Sequence, residues 1–109
     1  MRAFVLQPSN KYDISMAEAY GEIVYLIDEY LSPFDPDKTI QRMRDELNRL
    51  KFNPDEDAIV LTGASILISV FLSVLAYDYH KVKTLLFDAR TGKYKLVVID
   101  LSSTDGRQY

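Results

Sequence analysis

The stretch Ala58 to Tyr77 reads AIVLTGASILISVFLSVLAY and carries no charge. Its start, Asp57 to Thr62, is short and β-branched, the pattern of a buried strand. Its end, Ser65 to Tyr77, is long enough for a helix. Gly63 stands between them and can take backbone angles that other residues avoid. Strand, glycine turn and apolar helix form the middle of a βαβ unit. The rival reading is a membrane span, because a run of this length nearly covers the roughly 30 Å hydrocarbon layer. Acidic Asp55, Glu56 and Asp57 on one side and Lys81 and Lys83 on the other would even suit it. The break at Thr62, Gly63, Ala64 and Ser65 argues against a span. So do the flanking segments, which are patterned as parts of one core and would bury too little surface alone. No membrane association is expected.

Working outward, Arg2 to Gln7 reads as a first strand stopped by Pro8, followed by turn residues Ser9, Asn10 and Lys11. Ser15 and Glu18 have the spacing of a capping box, and Gly21 ends the short helix it would open. Glu22 to Ile27 is a second strand, a continuous apolar run suited to an interior position. Asp35 and Pro36 open a further helix as N-cap and first helical residue. Ile40, Met43, Leu47 and Leu50 give that helix one narrow apolar stripe. Arg42–Glu46 and Asp45–Arg49 have i,i+4 spacing, so the arginines read as a solvated face. After the central run, Val82 to Phe87 and Tyr94 to Leu101 form a hairpin turning at Thr91 and Gly92. Residues 102–109 are polar and read as a frayed tail.

The order β-α-β-α-β-α-β-β implies one α/β domain over residues 1–109. We expect a three-layer, Rossmann-like fold with a mostly parallel five-stranded sheet and a C-terminal antiparallel hairpin. The expected strand order is 2-1-3-4-5. The central helix is apolar almost all round, so it should be buried on almost every side. Ser65, Ser69, Ser73 and Ala76 form a ridge of small residues along it. Either the rest of the chain covers that helix or a second subunit does, which makes a homodimer through the ridge an expectation.

The net charge of −3 gives no basic face for nucleic acid. The chain has no cysteine and one histidine, so neither thiolate chemistry nor a histidine-based metal site is expected. Asp13, Asp28 and Asp88 would fall on one side of the sheet, but no spacing rule makes them a Mg²⁺ site. No cofactor is implied. The Met1-Arg2 start leads straight into a short strand without a signal-peptide pattern, so the cytoplasm is the expected compartment.

Ligands of open α/β sheets bind beyond the carboxyl ends of the strands where strand order reverses, here between strands 1 and 3. Gln7, Ser9, Asn10, Asp13, Thr62, Gly63 and Ser65 are the candidate binding residues, and the helix start at Ser65 would favour a small anion or nucleotide. One glycine is not a phosphate-binding fingerprint, and Gly63 can equally serve a tight turn with Ser65 as N-cap. No catalytic residue stands out. Ser65 lacks a GxSxG context, and His80 lies at the far end of the same helix, about 22 Å away at 1.5 Å per residue.

Pro8, Asp13, the lead Tyr20-Gly21-Glu22 into Ile23-Val24-Tyr25-Leu26, and Val60-Leu61-Thr62-Gly63 before an apolar helix resemble a family of small proteins encoded by bacterial phages and plasmids. The likeness covers about residues 2 to 100. It implies a small accessory protein of a mobile element; by analogy with other mobile-element proteins of this size, we expect it to act in the host cytoplasm by binding a host or defence protein. It transfers no catalytic residue. The alternative expectation is a nucleotide- or anion-binding protein that uses the cleft above.

Overall fold

The computed structural model describes residues 1–9 and 13–101; candidate Asn10 and the tail 102–109 lie outside the described residues. Five strands form one mixed sheet: β1 (Arg2–Val5), β2 (Glu22–Tyr25), β3 (Ala58–Val60), β4 (Lys81–Asp88) and β5 (Lys93–Asp100). Two α-helices, α1 (Pro36–Arg49) and α2 (Ser65–Tyr79), and a 3-10 helix at Ser15–Ala19 connect them. The sheet order is β2-β1-β3-β4-β5, as the alternation of elements led us to expect. β1 pairs parallel with both β2 and β3, β3 pairs parallel with β4, and β5 returns antiparallel along β4. No helix among the described residues is long and apolar enough to cross a membrane.

Of the three expected layers, one is thin. The chain leaves β1 toward one side to make β2, then returns across the sheet to β3 and β4. Right-handed crossovers therefore put the β1–β2 connection on one face and both α-helices on the other. On the helix face Phe4, Ile59 and Val82 pack with Met43, Leu47, Leu67, Phe71 and Leu75. On the opposite face Ala3, Val5, Ala58, Val60, Leu85 and Tyr94 cluster with Ala17, and Ile14, Tyr20 and Ile23 pack against them. The third layer is a single 3-10 helix. Small residues at Ala3, Ala17 and Ala58, all fully buried, let so thin a layer lie close to the sheet.

The capping box does not form. The 3-10 helix has no side-chain cap, and Ser15 N donates instead to Asp13 Oδ1 at 3.0 Å, closing a local turn. Gly21 ends the segment for a steric reason: a Cβ there would lie 2.0 Å from the Met1 carbonyl oxygen. Nor is β2 an interior strand. It forms one edge of the sheet and is only partly buried, and the fully buried residues of that run, Leu26 and Ile27, lie just past it. Their N–H groups continue the ladder to the Val5 and Leu6 carbonyls.

Helix α1 starts as expected, with Asp35 accepting from Lys38 N and Pro36 in the first turn. Met43 and Leu47 of the stripe are buried, and Ile40 and Leu50 partly so. Arg42 pairs with Glu46 at 2.9 Å. The expected Asp45–Arg49 pair is replaced: Arg49 turns to Glu46 at 2.8 Å, and Asp45 accepts from Gln41. Arg49 and Arg42 together hold the Glu46 carboxyl down at about 2.

Helix α2 is buried on one side only. Leu67, Phe71, Val74 and Leu75 face the core, whereas Ile66, Ser69, Ser73 and Tyr77 face outward. It ends at His80, which takes a left-handed conformation (φ 62°) and donates its N–H to Ala76 O.

The amino ends of the strands are tied by a pair not read from the sequence. Arg2 donates from Nε and a terminal guanidinium nitrogen to Asp57 at 3.2 and 2.9 Å, and also to the Leu50 and Lys51 carbonyls. Asp57 is 3% exposed. Burial pushes its carboxyl up, but Arg2 and the Asn53 N–H outweigh that, and the carboxyl sits below its usual range. One ion pair thus joins β1, the end of α1 and the entry to β3.

Candidate functional site

At the carboxyl ends of β1 and β3 the structure brings together three of the seven candidates. Gln7, Ser9 and Thr62, with Val5, Ile14 and Tyr25, enclose about 10 Å³, room for about one water. Gln7 is engaged elsewhere, donating from Nε2 to the Glu29 carbonyl at 2.6 Å. Asp13 faces a separate depression, shared with Ser15, Glu18 and Ile23. The Ser15 hydroxyl and N–H hold its carboxyl below the usual range. Gly63 and Ser65 line neither space. Gly63 has φ 126°, and a Cβ there would lie 3.5 Å from Ile68, so the backbone angle and not crowding calls for glycine. The N-cap of α2 is Ala64, without a side-chain cap, and Ser65 is the first helical residue.

A roomier groove of about 380 Å³ runs between α1 and α2. Ile40 and Arg44 line it from α1; Ser69, Val70, Ser73, Val74 and Tyr77 line it from α2. The ridge serines are turned inward chemically: Ser69 Oγ donates to Ser65 O and Ser73 Oγ to Ser69 O, each at 2.8 Å. Their hydroxyl protons are used within the helix, so the ridge presents a nearly apolar flank. Ser65, Ser69 and Ser73 are exposed and Ala76 partly buried. Arg44 closes one end, held by Asp78 through bonds of 2.8 and 2.9 Å and lying 6.0 Å from the Tyr77 ring centre.

Several charged groups elsewhere pair with one another. Beside the β2–α1 connection, Glu29 accepts twice from Arg42, which also binds Glu46. Asp88 at the end of β4 accepts from Arg90 N and Arg90 Nε in the turn, and its second oxygen meets Lys95 at 2.8 Å. No group of three or more histidine or carboxylate side chains among the described residues is placed to hold a metal ion.

The sequence reading missed the outer hairpin. Leu96, Val97, Val98 and Ile99 of β5 are 40–48% exposed, with Phe87 and Leu101 beside them in the same state. The signal was present: the expected strand order makes β5 an edge, and its apolar run is continuous and not alternating. No curated protein and no solved structure matches the chain. The model of the family described as phage Pam3 gp32-like protein matches residues 1–101, so the resemblance to a phage-encoded family holds and the chain belongs to that family.

Proposed function

We propose that this phage-family protein is an accessory protein that acts by binding another protein, a host or defence protein of the infected cell, and not by catalysis. The observation that supports this reading is the outer side of α2, where Ile66, Val70 and Tyr77 flank serines whose hydroxyls are already bonded within the helix. Val70, Tyr77 and the serines Ser69 and Ser73 form, with Ile40 and Arg44, an open groove of a kind that takes a partner helix. The reading places the protein in the host cytoplasm. A photo-cross-linking residue at Val70 should then join one host protein in a manner blocked by excess unlabelled chain, whereas the same residue at Lys51, at the base of the sheet, should not. Equal labelling from both positions would remove the proposal.

The same ridge also supports self-association, since small side chains at Ser65, Ser69, Ser73 and Ala76 let two helices approach closely. Ser69→Arg should then turn a dimer into a monomer in sedimentation while the far-UV spectrum stays native. A wild-type monomer at tens of micromolar ends that reading. The anion or nucleotide reading of the cleft is the weaker one, because the space between Gln7, Ser9 and Thr62 has room for about one water. Heat on titration with mono- or cyclic nucleotides at millimolar concentration would revive it.

A further inference from the structure

The connection from β2 to α1 is held at several points, yet it turns two aromatic rings to solvent. Leu26, Ile27 and Leu31 of this stretch are buried. The Glu29 carbonyl accepts from Gln7 Nε2, and the Glu29 carboxylate is clamped by Arg42. The Ser32 carbonyl accepts from the Thr39 hydroxyl at 2.8 Å, and Ser32 Oγ accepts from Phe34 N. A loop fixed in this way loses little freedom on binding. Between these anchors Tyr30 is 81% exposed and Phe34 91% exposed, so neither ring serves the core. Large rings displayed on a fixed loop are anchors of the kind that dominate protein interfaces. Beside Tyr30 a crevice of about 340 Å³ opens between the loop and α1. Tyr30 and Leu31 line it from the loop, and Asp35, Lys38, Arg42 and Asp45 line it from α1 and its cap.

The charge around the rings selects the occupant. Asp28, Asp35, Asp37 and Asp45 are exposed and form no ion pair among the described residues. Arg42 is neutralised by Glu29 and Glu46, which leaves Lys38 as the opposing charge in the crevice. An anionic partner would be repelled here, and a wholly apolar one would strip water from the carboxylates without replacing it. A second copy meeting this loop about a two-fold axis would set carboxylate against carboxylate. We propose that the Tyr30–Phe34 loop and its crevice dock an arginine-rich segment of a partner protein, with guanidinium groups stacked on the two rings and paired with the surrounding aspartates. Guanidinium is the cation that suits both features, because it is planar, lies flat on an aromatic face and forks onto a carboxylate. The surface is on the opposite flank of α1 from Ile40 and Arg44, so it does not depend on the α1–α2 groove reading.

The test uses fluorescently labelled oligo-arginine and oligo-lysine peptides of equal length, read by anisotropy at low salt. The wild type should bind oligo-arginine more tightly than oligo-lysine. Tyr30→Ala with Phe34→Ala keeps every charge and should weaken oligo-arginine binding about tenfold, with a smaller loss for oligo-lysine. Asp28→Asn with Asp37→Asn should weaken both peptides, and Lys38→Glu should tighten both. Glu18→Gln with Glu56→Gln removes the same charge from exposed positions elsewhere and should leave binding near that of the wild type. A wild type that does not prefer oligo-arginine overturns the proposal. So does a ring variant that binds as tightly as the wild type, or a remote pair that costs as much as Asp28→Asn with Asp37→Asn, which would reduce the effect to net charge. Should the ring variant unfold, the comparison of the two carboxylate pairs decides alone.

Discussion

The two edges of the sheet are built differently. β2 has four residues, follows a glycine packed against the Met1 carbonyl and starts with Glu22. β5 has eight residues, no proline and no break in register, and four consecutive apolar side chains half open to solvent. Short strands and charges are common ways of keeping an edge from pairing with another chain; β5 is long and carries its charges, Lys93, Lys95 and Asp100, outside the apolar run Leu96 to Ile99. The difference teaches that the two edges are guarded unequally: β2 by its shortness and a backbone contact, β5 by charges that flank an exposed apolar run.

The largest effect should come from breaking the β2 edge. Gly21→Val would drive a Cβ into the Met1 carbonyl, where only 2.0 Å is available, and the neighbour is backbone that cannot swing away. We expect a loss of about 3–5 kcal/mol in urea unfolding, with hydrogen exchange fastest in β1 and β2. A Gly21→Val protein of wild-type stability would mean that the β1–β2 register is softer than it is drawn here.

A smaller loss is expected at the base of the same side. Asp57→Ala leaves the Arg2 guanidinium without its carboxylate, and because Arg2 is about one-third exposed the cost should be about 2–3 kcal/mol, below that of a fully buried pair. The acid response has a definite sign. Asp57 and Glu46 have folded-state values below those of the unfolded chain, so their contribution is complete above the unfolded values of 3.8 and 4.5 and is lost as pH falls below them. For Glu46 the loss should run from about 4.5 down to about 2. Glu46→Gln should flatten the dependence of stability on pH in that window and leave it unchanged near neutrality, measured by urea titrations at several pH values.

The comparison of edges also marks what the sequence could and could not reveal. Strand order was legible because a glycine turn after β3, proline at the start of α1 and a hairpin turn at Gly92 set the alternation of elements, and right-handed crossovers do the rest. The layer on the second face was not. Ser15 and Glu18 have the capping-box spacing, but the segment before Gly21 is too short for an α-helix, and the local bond from Ser15 N to Asp13 competes with the cap. The outer side of α2 was not legible because serine counts as small and neutral in either environment. Only the structure tells that Ser69 and Ser73 face out and satisfy themselves. Of the cleft, the sequence located the adjoining strand ends correctly. It could not foresee that Ile14 and Tyr25 come in beside them and leave about 10 Å³. The Arg2–Asp57 pair joins residues 55 apart in the chain, a separation no local pattern can express.

The smallest expected effect sharpens the comparison most. Tyr20, just before the β2 edge, reaches across the thin face and donates its hydroxyl to the Tyr94 carbonyl of β5. Tyr20→Phe keeps the ring that packs against the 3-10 face and removes only that bond, so stability should fall by about 1 kcal/mol. The hairpin then loses its tie to the thin layer, so amide hydrogen exchange should quicken in the 3-10 helix Ser15–Ala19 and around Tyr94 while β2 keeps its wild-type rates. Unchanged exchange in both places would mean that apolar packing of the Tyr20 ring, and not its hydroxyl, holds the 3-10 helix to the β5 side of the sheet.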